Sequence, residues 1–293
     1  MTPGKYTHIT LKDQPIYALG DLHGAWSRLE QEIKSKAITD CAFIICGDIG
    51  MGFSHREVEK KKLESMNKFL RLHNLTVLGF RGNHDNPAIF NRDIEDVEKT
   101  QDFWYPNLKL VPDYTVVTVN GKNLLLIGGA TSIDREERKK NYNERIKGFM
   151  QAYPFLDKES AKEIVLPSYW EGEFPYVDRE ALEKIKEDEI LITNVLTHTC
   201  PSFCYPTHKR GIKNWLEIDP FLENDINYER SVMDNIYDIL KGNAHPLEEW
   251  TYDHYHKHWQ EDFNGIRYTT LLNTDHTFDP YEITRVDVDE IDL

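Results

Sequence analysis

An α/β fold that combines parallel and antiparallel strands is what this sequence predicts, on three observations. Apolar runs alternate with amphipathic helical stretches between residues 16 and 80. Further on, Asn120-Gly121-Lys122 separates two runs rich in β-branched residues. Five apolar runs, at 16–19, 43–46, 77–80, 190–196 and 250–252, each stop at a short cluster containing Asp, Asn or His. In open α/β sheets ligands gather where strands end.

The first run, Ile-Tyr-Ala-Leu, reads as a short buried strand leading into Asp21. Residues 25–36 follow as a helix, because Trp26, Leu29, Ile33 and Ala37 recur at helical spacing. A strand over 42–46 precedes a helix from about 54 to 72, whose apolar stripe is Leu63, Met66, Phe69 and Leu70. Ser54 is the expected N-cap there, with Glu57 at the capping-box position. The strand over 76–80 completes a β-α-β-α-β series, which implies a parallel sheet. Asn-Gly between 114–119 and 123–127 is a strong hairpin signal, so antiparallel strands join as a second sheet. Residues 135–185 are charged and mostly helical. A strand over 190–196 returns to the core, and 200–247 holds a Pro-containing loop and a helix at 231–240. Strands near 249–252 and 266–272 close the pattern. With no repeat, low-complexity tract or flexible linker, residues 1–293 read as a single domain. The stretches 135–185 and 200–247 are expected to be excursions over the site face.

The chain is 40% hydrophobic, enough for a sizeable core. No apolar run approaches the ~18 residues of a membrane span. Met1-Thr2-Pro3-Gly4-Lys5 lacks an apolar signal region, so the expected compartment is cytoplasmic and no membrane is a partner. Against 35 basic residues stand 50 acidic ones, a net charge of -15. Such a surface disfavours nonspecific binding to nucleic acid, although bound cations can reverse the field locally. Cys41, Cys46, Cys200 and Cys204 read as buried free thiols, without the paired Cys-x-x-Cys of a structural zinc site.

Asp21 and His23 stand two apart at a strand end, a spacing that suits a carboxylate and an imidazole gripping one divalent ion. Alone, the pair also fits a capping Asp and a surface His. Asp48, after the run 43–46 and Gly47, could bridge two ions, or sit in a common turn. Arg81-Gly82-Asn83-His84-Asp85 is the more specific cluster. Asn83 offers an amide oxygen, His84 should point away from the ligand direction toward a substrate, and Asp85 could hold His84 in one tautomer. His198 ends the strand over 190–196. His254 and His256 can face one site, although His256 with His258 is an equivalent spacing. Aspartates, an amide and imidazoles, with no thiolate, suit Mn, Fe or Zn better than Ca or Mg. Seven such ligands suffice for two ions sharing one carboxylate and a bridging hydroxide.

Taken together, Asp-x-His, Gly-Asp, Gly-Asn-His-Asp, a late His and a final His-x-His resemble the calcineurin-like metallophosphoesterase superfamily. The match runs from 16 to about 275, and Gly128-Gly129-Ala130-Thr131-Ser132-Ile133-Asp134-Arg135 with Tyr169-Trp170 resembles a bacterial and phage subgroup. The resemblance implies two mixed β-sheets packed as a sandwich and flanked by helices, a four-layer αββα fold. It also implies two divalent metal ions, most simply Mn, with Fe, Zn or Ni as other candidates. By the same resemblance Asp21, His23 and His256 hold the first ion, Asn83, His198 and His254 hold the second, and Asp48 bridges them.

The implied reaction is hydrolysis of a phosphoester, monoester or diester, by a hydroxide shared between the ions, with His84 donating a proton to the leaving oxygen. Arg135 and Arg138 are candidates for gripping the phosphoryl group, or ordinary solvated helix charges. A small molecule or nucleotide is the favoured substrate, and Tyr169, Trp170, Phe174 and Tyr176 could stack a base or pack in the core. Two departures stand out. Asp253 occupies the place of a Gly usual before the first His of the last motif, and Met51 stands where many relatives carry an Asp that orients the acid histidine. A noncatalytic scaffold of the same fold and a protein Ser/Thr phosphatase are the competing readings; the latter lacks its longer Gly-Asp-x-x-Asp-Arg-Gly pattern here.

Overall fold

The computed structural model describes residues 4–91, 95, 98, 102–206, 212–272, 274 and 277–283. Strands β2 (Ile16–Leu19), β3 (Ala42–Cys46), β4 (Thr76–Phe80) and β5 (Leu108–Leu110) run parallel, and β12 (Tyr281–Glu282) pairs antiparallel with β2 at the edge. This five-stranded sheet has the order β12-β2-β3-β4-β5. The other sheet has seven strands. In it β1 (Thr7–Thr10) lies parallel to β6 (Thr115–Val119), and β6 forms a hairpin with β7 (Lys122–Ile127). From there β8 (Asn194–Thr197), β9 (Glu249–Tyr252) and β11 (Ile266–Thr270) extend the sheet in parallel, and β10 (Trp259–Phe263) closes it antiparallel to β11.

The two sheets face each other across a shared core. Ile16, Ala18, Ile44, Leu78 and Phe80 pack there against Val117, Leu124, Leu126 and Leu196. On the far side of the five-stranded sheet, Leu19, Phe43, Ile45 and Val77 meet α1 (Trp26–Ser35) and α2 (Arg56–Leu72). On the far side of the seven-stranded sheet, Val116, Leu125, Val195 and Trp250 meet α6 (Arg179–Glu187) and α8 (Leu222–Gly242). These are the four layers of an αββα sandwich. Both faces of the central strands are buried, which is why they read as continuous apolar runs rather than alternating ones. The remaining helices among the described residues are α3 (Pro87–Phe90), α4 (Arg135–Ala152), α5 (Lys158–Ile164) and α7 (Lys213–Ile218). None of these helices is long and apolar enough to cross a membrane. All four cysteines are buried and free.

The hairpin forms as its sequence predicts. Val119 pairs with Lys122, leaving Asn120 and Gly121 as a two-residue turn with φ of 49° and 70°. That double positive φ matches the right-handed twist of the strands. The Asn120 amide also accepts from the Gln14 backbone N–H at 3.0 Å and donates to its carbonyl at 2.8 Å, tying the turn to the segment entering β2.

Three boundaries depart from expectation. Helix α2 starts after His55, without a side-chain cap, and Ser54 is not its N-cap. Instead Glu59 reaches back from the first turns of the helix and accepts from Gly52 N–H (2.7 Å) and Ser54 N–H (3.1 Å). The strand expected over 190–196 is reduced to β8, because Ile190 N–H is spent on Ile185 at the end of α6. The helix expected at 231–240 runs from Leu222, since its earlier turns also bury Leu222, Ile226 and Glu229. It packs on the outer face of the seven-stranded sheet. Strands β1, β5, β10 and β12 carried too weak a signal to be read: β10 is largely exposed, and β12 has two residues.

Replacing Gly121 with Ala places a side chain at positive φ, at a cost of about 1 kcal/mol. The urea midpoint should fall accordingly with an unchanged m-value; an unchanged midpoint would contradict the turn geometry.

Candidate metal centre

The ends of β2, β3 and β4 from one sheet and of β8 and β9 from the other meet at one edge of the sandwich. Asp21 and His23 follow β2, Asp48 follows β3, and Asn83, His84 and Asp85 follow β4. His198 follows β8, and His254 and His256 follow β9. Gly47 permits a close approach between the sheets: a Cβ there would lie 2.2 Å from His198 Nδ1. The backbone is strained around the cluster, with positive φ at His23 (45°), Asp48 (44°), His254 (72°) and His256 (53°). Strain of this kind persists where surrounding structure enforces it, and it gathers at functional sites.

The side chains converge. Ligand atoms of Asp21, His23 and His256 lie within 4.8 Å of one another, and so do those of Asp21, Asp48 and His198, and of His23, Asp48 and His84. His23 Nε2 and His256 Nδ1 each stand 3.5 Å from Asp21 Oδ2. His198 Nε2 is 3.4 Å from Asp48 Oδ1 and 3.0 Å from Asn83 Oδ1, while its Nδ1 lies 2.8 Å from the Cys46 carbonyl. A carbonyl partner of that kind holds a ligating imidazole in one tautomer and orientation. The ring of His254 is 5.1 Å from that of His198. The structure therefore draws in the pair His254 and His256 rather than His256 and His258.

The electrostatics suit bound cations. Asp21 is fully buried, and neither of its carboxylate oxygens accepts a hydrogen bond. Burial alone would raise Asp48, but His198, His84 and His23 around it hold it well below the usual carboxylate range. His198 is opposed by burial and raised by Asp48 and Asp21, to about 9. A buried carboxylate left without hydrogen bonds, Asp21, beside a second buried carboxylate and several imidazole nitrogens, is the donor set a divalent metal would satisfy.

A family model for calcineurin-like phosphoesterases matches residues 14–219. The chain belongs to this family. Metal-dependent hydrolysis of phosphoesters is the general chemistry that goes with it. The chain's overall shape is similar to a dimetal phosphatase from Danio rerio, at 11% identity and a TM-score of 0.42, covering 90% of this chain and 88% of that one. It is also similar to a phosphopantetheinyl hydrolase from Mycobacterium tuberculosis, at 12% identity and a TM-score of 0.40, covering 92% and 96%. No curated protein matches the sequence.

In this phosphoesterase several side chains take places other than the expected ones. Asp85 does not orient His84. Its carboxylate accepts from the backbone N–H groups of Ile49 (3.0 Å), Gly50 (2.8 Å), Met51 (2.8 Å) and Gly82 (2.8 Å). It thereby clamps the loop carrying Asp48 to the loop carrying Asn83. The reason is steric economy: Asp85 closes a tight turn onto Gly82, and a buried carboxylate takes the nearest donors. Arg135 does not face the site either; it is buried against Asp219 and Asp225. Arg138, one helical turn further along α4, does reach the site. It donates to the His84 imidazole, to Asp134 at 2.8 Å and to the Ser168 carbonyl at 3.1 Å. Burial first, and the Arg138 charge after it, push His84 below its ordinary value despite Asp48.

Trp170 packs against Phe53 and Tyr176 against Tyr114, so these aromatic residues are framework, not a base-stacking wall. Asp253 turns inward, where its carboxylate accepts the Asp21 backbone N–H. Burial and the Asp21 charge raise its pKa well above the usual range.

Sequence reasoning passed over a buried outer ring. Asn83 Nδ2 donates to Ser132 Oγ at 2.9 Å, and Ser132 is in turn held by Glu173. Glu229 accepts from Thr131 N–H and Thr199 Oγ1, joining the loops after β7 and β8. Apolar strand β7 ending in Gly128-Gly129-Ala130-Thr131-Ser132 was the available signal for Ser132; Glu173 and Glu229 had none. Burial lifts Glu173 to about 8, against the opposing hydrogen bonds from Ser132.

Two outcomes follow. Asp85→Ala strands several buried N–H groups, each worth about 1–3 kcal/mol, so chemical denaturation should show a loss of at least ~3 kcal/mol. A near-neutral substitution would contradict the clamp. For Glu173, the raised pKa means the folded chain holds the proton more tightly than the unfolded one. The associated stability is complete below the unfolded value and lost as pH rises through about 8. In metal-free protein, the melting temperature of Glu173→Gln relative to wild type should therefore climb between pH 5 and pH 8.5, and a flat difference would rule out the shifted carboxyl.

Proposed function

We propose that this protein hydrolyses a small phosphoester at a dinuclear centre held by Asp21, His23, Asp48, Asn83, His198, His254 and His256. The observation that carries the reading is the convergence of the three overlapping Asp/His triads at the shared strand edge, around the orphaned Asp21 carboxylate. Asp21, His23 and His256 would hold one ion, Asn83, His198 and His254 the other, and Asp48, which belongs to two of the triads, would bridge them. Manganese is the best match to this nitrogen and oxygen donor set, with iron, zinc or nickel as substitutes. When bound, such a pair supplies an activated water and neutralises charge on the phosphoryl oxygens.

The protein's own groups supply the remainder. His84 donates its backbone N–H to Asp48 Oδ1 at 2.6 Å, which pins its main chain while the imidazole faces the cavity. It delivers a proton to the departing oxygen, a contribution of roughly 10²–10⁴-fold. Arg138 donates to the His84 ring and would add positive charge beside the phosphoryl position.

The centre opens into a cavity of about 630 Å³. Asp48, Asn83, His84, His254 and His256 form its polar floor, and Ile133, Tyr205, Pro206, Ile212, Trp215 and Tyr255 form an apolar, aromatic wall. Such a wall favours a compact substrate with a flat organic group, a nucleotide among the natural choices. The net charge of -15 weighs against a long polyanion.

The test is reconstitution of metal-free protein with Mn, followed by assay on nitrophenyl and alkyl or nucleoside phosphoesters. Two bound ions and turnover are expected, and a metal-loaded but inert protein would favour a scaffold instead. His84→Ala should reduce turnover of alkyl and nucleoside leaving groups by 10²-fold or more, and of nitrophenyl ones much less. Equal losses on both would remove His84 from the acid role.

A further inference from the structure

The side-chain amide of Asn83 poses a question of polarity. Its oxygen and nitrogen ends are almost the same size, yet only the oxygen can bind a cation. Packing cannot choose between the two orientations. Hydrogen bonding can, and three side chains are arranged to do so, all of them nearly inaccessible to water: Asn83, Ser132 and Glu173 are 2%, 1% and 0% exposed.

We infer that Ser132 and Glu173 are positioning residues, forming a relay that turns the Asn83 oxygen toward the metal site; the inference rests on the proposed ligand role of Asn83. Glu173 Oε1 accepts the Ser132 backbone N–H at 2.8 Å, and Oε2 accepts the Ser132 hydroxyl at 2.6 Å. Above about pH 8, where Glu173 is ionised, its carboxylate can only accept, so the single hydroxyl proton of Ser132 is committed to it. What remains on Ser132 Oγ is lone pairs, and these can be met only by a donor. The Asn83 NH₂ provides it at 2.9 Å. The amide oxygen is thereby directed to the opposite side, where it lies 3.0 Å from His198 Nε2.

The relay is separable from the framework. Glu173 is anchored through its main-chain carbonyl, which accepts from Arg81 at 2.8 Å and from Ala130 N–H at 3.1 Å. A change of its side chain leaves both bonds in place. Neither Ser132 nor Glu173 lines the cavity.

Glu173→Gln keeps the shape and reverses the chemistry. Its NH₂ can donate to Ser132 Oγ, releasing the hydroxyl proton toward Asn83 and favouring the flipped amide. Ser132→Ala removes the relay altogether. Calorimetric titration of the metal-free proteins with Mn²⁺ at pH 8.5, where Glu173 is ionised, should show both variants weakened for one of two ions by about 10–100-fold, the usual effect of losing a group that orients a ligand. Affinity for the other ion should stay within about twofold, and the melting temperature of metal-free Glu173→Gln should not fall.

Asn83→Asp supplies the decisive arm. A carboxylate presents oxygen on both sides, so it clashes with the wild-type relay but accepts from the reversed one. Asn83→Asp combined with Glu173→Gln should bind the second ion more tightly than either single variant does. A merely structural role predicts additive losses in that cycle. Wild-type protein that takes up two ions, together with additive losses or equal weakening of both ions, overturns the relay alone. Wild-type protein that never takes up a second ion overturns the dinuclear reading and the relay with it.

Discussion

Negative charge buried where two sheets meet is the constraint on which the rest of this structure depends. Asp21 and Asp48 are withdrawn from water at the ends of neighbouring parallel strands, and the oxygens of Asp21 accept no hydrogen bond. Isolated carboxylates cannot be held in such a place without compensation. The opposite sheet supplies part of it: His198 and His256 reach across from the loops after β8 and β9. Bound divalent cations would complete it. The sandwich can therefore close tightly at this edge only because each sheet brings what the other lacks.

Around that centre, buried side chains fasten one loop to the next. Asp85 clamps the loops after β3 and β4, Glu229 joins those after β7 and β8, and Asp253 draws the backbone of Asp21 toward the loop after β9. Arg81, 1% exposed, extends the system by donating to Asp113 and to the carbonyls of Gly172, Glu173 and Phe174. Each bond is worth little by itself, yet leaving any of these groups unpaired would be expensive. The result is a set of loops with the rigidity that metal ligation requires, although loops are ordinarily the mobile part of a fold.

The same logic explains why some expected roles moved. Asp85 and Arg135 carry the residue types of an orienting acid and a phosphate grip. In a buried setting, however, each is taken by the strongest partner nearby: backbone amides for Asp85, Asp219 and Asp225 for Arg135. Arg138 sits a turn further along α4, where it reaches His84. Trp170 and Tyr176 follow suit as packing, and Tyr205, Trp215 and Tyr255 line the cavity.

Sequence by itself determined the parts of this protein that local physics controls. Apolar runs buried on both faces announced β2, β3 and β4; a helical stripe announced α1 and α2; Asn120-Gly121 announced the hairpin through its backbone preference. Ligand-type residues at strand ends announced the site, because side chains leaving parallel strands at the same end share an edge whatever their separation along the chain. Tertiary structure decided the rest. Which partner a buried carboxylate or guanidinium takes depends on groups brought from far along the chain, as Glu173 and Glu229 show. Even helix α2 takes its opening from Glu59 reaching back to the loop, rather than from Ser54. Hydrogen-bond partners inside a core are settled by distance in space, and distance in sequence carries almost no information about it.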